Sequence, residues 1–289
     1  MNLLVAHPLT WIPRWTMADG QRAIARATAC GYDAIIVPLR DPMQVDAAAV
    51  ARACAAEGLT PIPTTNHPPD TDPASDDPAI AACGRDRLLH ALALARDMGA
   101  MRLAGLPHAA WGKAAAPVSP RGRAHAVATL AHAARIAAAS GMIITIEAVN
   151  RFENALVNTA AQARALIAET GADNILVHLD THHMLIEEAD TAATIAETAP
   201  FLGFLECSES HRGALGTGGV DLPRAIRAAI HAGYRGPIGF EAFSAAILDP
   251  ALAAAFCVWR ATYTHADRVA RDANALLRRL VAEAEETAP

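Results

Sequence analysis

Four apolar stretches each carry one acidic residue near their C-terminal end. They are Glu147 in IITIEAV, Asp180 in ILVHLD, Glu206 in FLGFLEC and Glu241 in PIGFEAF. An ionised carboxylate among apolar neighbours is costly unless a cation or a metal compensates it. One such residue could be a core ion pair. Four of them, with almost no cation nearby in sequence, are most simply explained by convergence on one divalent ion. The Asp180 stretch adds imidazoles, since NILVHLDTHHMLIEE places His182 and His183 directly after the strand. A lone Asp there could cap a helix, and a lone His could be a satisfied core residue. Recurrence of the pattern at other strand ends favours a site. His178 shares a face with Asp180 but sits one pleat deeper, about 6–7 Å away. It is expected to support the site or to be a satisfied core histidine, not to be a ligand. His182 is expected to be structural, and Glu187 and Glu188 to open a solvated segment.

These residues need a scaffold that brings strand ends together. Eight β-like runs alternate with Ala-rich helical patterns: residues 3–8, 34–39, 59–65, 101–107, 142–149, 175–180, 201–209 and 237–243. Helical patterns fall at 20–31, 45–58, 119–141, 159–171, 190–199 and 221–233, with a long final helix over roughly 251–284. Gly31, Gly58, Gly141, Gly171 and Gly233 suit helix C′ positions. Eight such units predict parallel βαβ connections closing into an α/β fold, a (β/α)₈ TIM barrel, as one domain over 1–289. A doubly wound open sheet is the alternative, weakened by the lack of G-x-G-x-x-G after the first strand. NHPPDTDPASDDP (66–78) reads as a long βα loop. In this barrel, functional groups sit at the C-terminal ends of the strands, where all four carboxylates lie.

Composition narrows the function. The chain has 289 residues, net charge −6 and no basic stripe, so a nucleic-acid partner is not expected. The five cysteines are scattered and never form C-x-x-C, which suits a reducing compartment and argues against a disulfide framework or a zinc site. No apolar run reaches the ~18 residues of a membrane span. MNLLVAHPLTWIPRW lacks a basic n-region and a cleavage site, so a cytoplasmic location is expected. The last two βα loops lack a Gly-rich phosphate cradle and lysine is scarce, so phosphate recognition is not expected.

EAVNRFENALVNTAAQARAL, LDTHHMLIEE, GTG at 216–218 and GYRGPIGFEAF make the chain resemble the ketose 3-epimerases of the D-tagatose 3-epimerase type, within the xylose isomerase-like TIM barrels. PPDTDPASDDPAI and HAAWG (108–112) fit in the same order. The resemblance implies that Glu147 and Glu241 bind metal and serve as the acid/base pair, with Asp180 as a third ligand. It implies that Glu153, His183 and Arg212 hold the C1–C3 end of the sugar and that Trp15 and Trp111 line the pocket. Packing alone would equally explain either tryptophan. His7 stands where the family commonly has an aromatic residue, and with Asn66 and His67 it bears on substrate identity. The family's usual fourth ligand is a histidine on the seventh strand, where this chain has Glu206. An all-carboxylate set suits one Mn²⁺ or Mg²⁺ per chain. The expected activity is C3 epimerisation of a free ketose, by a homo-oligomer (dimer or tetramer). The alternatives are a hydroxypyruvate-type aldose–ketose isomerase, a keto-inositol dehydratase, and a non-catalytic sugar-binding barrel.

Overall fold

The alternation of outward apolar and inward mixed residues closes into a barrel of eight parallel strands, ordered β1 to β8 around the ring. The computed structural model describes residues 2–288. The strands are β1 (Leu4–Ala6), β2 (Ala34–Pro38), β3 (Thr60–His67), β4 (Arg102–Ala110), β5 (Ile143–Ala148), β6 (Ile175–Asp180), β7 (Leu202–Cys207) and β8 (Ile238–Phe240). The helices are α1 (Met17–Ala29), α2 (Ala47–Glu57), α3 (Pro78–Asp97), α4 (Pro120–Ala138), α5 (Ala160–Thr170), α6 (Thr181–Glu187), α7 (Thr191–Thr198), α8 (Leu222–His231), α9 (Pro250–Ala255) and α10 (Ala266–Glu286).

Two separate apolar clusters follow from the strand period of two. Outward residues such as Ile35, Val37, Ile144, Ile146, Val177, Leu179 and Leu205 pack under the helices. The inward set Val5, Ala34, Ile36, Ile62, Ala104 and Phe204 fills the barrel floor. Above that floor the inward positions turn polar, at Glu147, His178, Asp180 and Glu206. Register aligns them. Glu147 lies opposite His178 across β5 and β6, and Asp180 opposite Glu206 across β6 and β7. The five glycines expected to end helices all have positive φ, from 65° to 86°.

The structure departs from the predicted elements in four places. The long final helix is broken. Cys257 adopts φ 54° after α9, and Tyr263 anchors the intervening segment by donating to the carbonyls of Thr10 (3.2 Å) and Ala242 (3.0 Å). That break lays Phe256 over the barrel mouth against Trp111 and Phe243. β8 stops at Phe240, because the Phe243 amide leaves the sheet to bond the Arg212 carbonyl at 2.7 Å. α3, absent from the predicted set, fills the β3–β4 crossover, and its Gly84 passes so close to Thr71 and Pro73 backbone that a Cβ would lie 2.6 Å from both. Glu187 is not solvated. Its side chain is 7% exposed and is clamped by the Arg151 backbone N–H (2.7 Å) and guanidinium (2.9 Å). No helix among the described residues is long and apolar enough to cross a membrane, and all five cysteines are free.

Candidate active site

Glu147, Glu206 and Glu241 line one cavity at the C-terminal mouth of the barrel, Asp180 is fully buried beside it, and the four strand-end carboxylates divide into two pairs. Arg212 takes the first pair. Its Nη1 donates to Asp180 Oδ2 at 2.9 Å and forms an ion pair with Glu241. Ser208 Oγ stands within reach of both carboxylates, at 3.4 and 3.3 Å. Arg212 is held for this task by a left-handed backbone, φ 59°, an uncommon conformation for a long side chain. Its guanidinium also lies 5.3 Å from the Phe243 ring.

Asp180 has two jobs. Oδ1 accepts from the His182 amide at 2.8 Å and so caps α6, while Oδ2 accepts from Arg212. The helix-capping reading of an aspartate after an apolar strand therefore applies to Asp180. Burial works against its charge, but Arg212, His183 and His182 outweigh it and hold the carboxyl below its ordinary pKa.

The second pair, Glu147 and Glu206, has no such cation. Burial pushes Glu147 up to about 8; His178 opposes the shift, while Glu206, Asp180 and Glu241 add to it. Burial and then Asp180 push Glu206 up to about 8 as well. His178 lies between them, Nδ1 3.7 Å from Glu147 and Nε2 3.3 Å from Glu206. Its ring rests on Phe204, centroids 4.5 Å apart. Neither of its nitrogens, nor Glu206 Oε1, has a hydrogen-bond partner among the described residues. The expectation of a satisfied core histidine is therefore not met.

The remaining predicted residues distribute as follows. His183 Nδ1 accepts from the Asn150 amide at 3.2 Å, and Nε2 lies 3.2 Å from Arg212 Nη2 and 3.7 Å from both Glu147 and Asp180. Burial and Arg212 keep it neutral, with a pKa well below 6.5. Glu153 accepts from Trp111 Nε1 (3.0 Å) and Asn150 Nδ2 (2.9 Å). Trp111, Asn66 and His7 line the same cavity. His7 lies 3.6 Å from Glu241 and edge-on to Phe243; burial and Arg212 lower its pKa to about 3. Trp15 lines an adjoining hollow beside Leu9, Pro38 and Arg40, packed over Gly20, rather than the carboxylate cavity. His67 is buried in β3 with both nitrogens unpartnered among the described residues.

Three functional groups escaped the sequence. Asn150 orients both Glu153 and His183, and its place three residues after Glu147 was the available signal. Ser208 follows Glu206 by two and so shares its face. Arg40 stacks over Trp111 at 5.0 Å and Phe256 at 5.7 Å, and nothing in PLRDP marked it.

The donor set fits a divalent cation. Glu147, Asp180 and His183 bring ligand atoms within 4.8 Å of one another, and so do Glu147, His178 and Glu206. Oxygen-rich sets with some imidazole suit hard to borderline ions. The unpartnered Glu206 oxygen and the raised pKa values of Glu147 and Glu206 describe carboxylates that lack a positive partner.

Comparison with known proteins shows what the chain is similar to. An L-ribulose 3-epimerase of Methylomonas sp. (strain DH-1) is 38% identical over 264 residues, covering 91% of this chain and 92% of the relative. A ketose 3-epimerase of Arthrobacter globiformis is 33% identical, covering 94% of each. A crystal structure of D-allulose 3-epimerase from Methylomonas sp. in complex with D-allulose superposes with a TM-score of 0.93 at 37% identity, covering 96% of each chain. Residues 24–279 match the family described as Xylose isomerase-like TIM barrel, and the chain belongs to that family.

Proposed function

We propose that this protein is a metal-dependent isomerase that interconverts free ketoses at C3, with Glu147 and Glu241 as the two proton-transfer groups. The observation that carries it is that pair, set three strands apart around one cavity in a chain matched nearly end to end by ketose 3-epimerases. Epimerisation needs a proton removed from one face of C3 and another delivered to the opposite face, which two groups on separate strands can do. Burial raises Glu147 to about 8 in the cation-free site, so it can carry a proton near neutrality, and burial pushes Glu241 up as well, against the Arg212 guanidinium that pairs with it. Asp180, ionised against Arg212, is suited to hold charge rather than protons.

Glu147, Asp180, Glu206 and Glu241 would hold one Mn²⁺ or Mg²⁺. When bound, such an ion supplies positive charge against the negative charge that builds at the sugar carbonyl as C3 loses its proton. Glu153, His183 and Arg212 would orient the C1–C3 end, and Trp111, His7 and Asn66 the remainder of the sugar. Exposed Phe152 and Trp259 beside the outer mouth support a homo-oligomer, and the five free cysteines support a reducing, cytoplasmic setting.

The test is incubation of a ketose panel in D₂O with Mn²⁺, removal of the ion, and NMR of the recovered sugar. Deuterium at C3 is expected. Deuterium only at C1 or C2 would mean an aldose–ketose isomerase, and no exchange on any ketose would remove the epimerase reading.

A further inference from the structure

We infer that His178 is a further ligand of the divalent ion, joining Glu147 and Glu206 on one side of the site across β5, β6 and β7. The inference rests on the metal requirement proposed above and adds one side chain to those that meet it. It starts from hydrogen-bond arithmetic. A neutral imidazole has one N–H, so one ring nitrogen must accept. Both His178 nitrogens face carboxylate oxygens, at 3.7 Å on one side and 3.3 Å on the other. An ionised carboxylate has no proton to donate. At least one nitrogen therefore opposes a lone pair unless a carboxyl proton or a cation stands between them. The ring is 1% exposed, and neither nitrogen has a hydrogen-bond partner among the described residues. Glu206 Oε1 adds a third unpartnered atom at the same place.

The surroundings make this a prepared position. Glu147 and His178 are register partners, which sets their side chains side by side on one face. Phe204 supports the ring from below. Gly239, the register partner of Glu206, leaves room for that side chain, since a Cβ there would stand 3.2 Å from Glu206 Cγ. Among the described residues, the guanidinium bonded to these carboxylates is that of Arg212, and it bonds Asp180 and Glu241 instead. The uncompensated half of the site is thus the half that brackets His178, and all three ligand atoms fall within 4.8 Å of one another. Imidazole favours Mn²⁺, Co²⁺ or Ni²⁺ over Mg²⁺ relative to an all-oxygen set.

The experiment loads the full-length protein with one equivalent of Mn²⁺ and records nitrogen modulation by pulsed EPR, with affinity from calorimetry. Wild type is expected to show a coordinated nitrogen. His178→Gln should lose it and bind Mn²⁺ at least about tenfold more weakly, the scale known even for outer-shell partners. His183→Gln should keep it, and Glu206→Gln should keep the nitrogen while weakening binding. If His178→Gln does not fold, the His7→Gln/His183→Gln double variant decides, because it leaves His178 as the one histidine of the cavity. Nitrogen modulation persisting there supports the ligand. Its loss there, its absence from wild type, or its retention with unchanged affinity in His178→Gln overturns it. Deuteration at C3 by wild-type protein lacking the nitrogen signal removes this inference and leaves the epimerase reading standing. The signal without exchange on any ketose does the reverse.

Discussion

Arg212→Met isolates the electrostatics of the site. Arg212 is the guanidinium that compensates Asp180, which is fully buried, and Glu241, which is nearly so. Removing one partner of a buried pair costs about 3–5 kcal/mol. The cost has a ceiling, because Asp180 can take up a proton instead. At about pH 7, protonating a carboxyl of ordinary pKa about 3.9 costs roughly 4 kcal/mol, at about 1.4 kcal/mol per pH unit. The expected loss is therefore about 3–4 kcal/mol. At about 2–4 °C per kcal/mol for a large domain, the melting temperature should fall by about 6–16 °C. Methionine keeps the chain length and inherits the same φ of 59°, so backbone strain does not confound the comparison. The pH dependence has a definite sign. The folded pKa of Asp180 is depressed, so its contribution in wild type is present above the unfolded pKa and lost as pH falls through the folded one. In the variant, protonation becomes cheaper as pH falls, and by about pH 5 the ceiling is roughly 1.5 kcal/mol. Thermal melts of chelator-treated protein by circular dichroism should show the gap narrowing from about pH 7 to about pH 5, and narrowing again on adding Mn²⁺. A gap under about 2 °C near neutrality, or one that does not change with pH, would refute the compensating role.

Two further perturbations address the chemistry. Glu147→Gln and Glu241→Gln should each lower turnover by about 10²–10⁴-fold, the usual worth of a positioned acid or base; near-wild-type rates in either variant, measured by C3 deuteration, would remove the two-base assignment. Glu206→His exchanges an anion for a neutral donor and should move metal preference towards Co²⁺ or Ni²⁺ in calorimetric titrations; an unchanged preference would show that position 206 does not touch the ion.

The barrel was legible because its signals are local. Apolar runs of strand length, Ala-rich helical patterns and helix-ending glycines recur, and each unit repeats the instruction of the last. What failed depends on contacts distant in sequence. The predicted helix over 251–284 breaks after α9 because Tyr263 is bonded to Thr10 and Ala242, more than 250 and about 20 residues away respectively. β8 is three residues long because the Phe243 amide finds the Arg212 carbonyl instead of continuing the ladder. Both departures build the site. The first brings Phe256 over the mouth, and the second frees Glu241 to meet Arg212.

The positions of the four carboxylates were readable from strand ends, and their grouping was not. Periodicity states which face a side chain occupies, and it is silent about which atom on that face opposes it. His178 shows the consequence. Counting two back from Asp180 puts it on the inward face, and depth alone suggests a supporting role. Register adds what depth omits, since Glu147 stands directly across β5 from His178 and Glu206 diagonally across β7. An imidazole between two carboxylates, resting on Phe204 above the apolar floor, has no internal solution to its hydrogen bonding unless a proton or a metal ion is supplied. Burial lowers the pKa of His178 and so opposes protonation of the ring, although Glu147 and Asp180 favour it. Raised carboxyl pKa values at Glu147 and Glu206 leave a shared proton as the competing solution in the cation-free protein. A divalent ion would displace that proton, so metal binding should release protons to the medium near neutrality, and titration of Mn²⁺ in buffers of different ionisation enthalpy measures the number released.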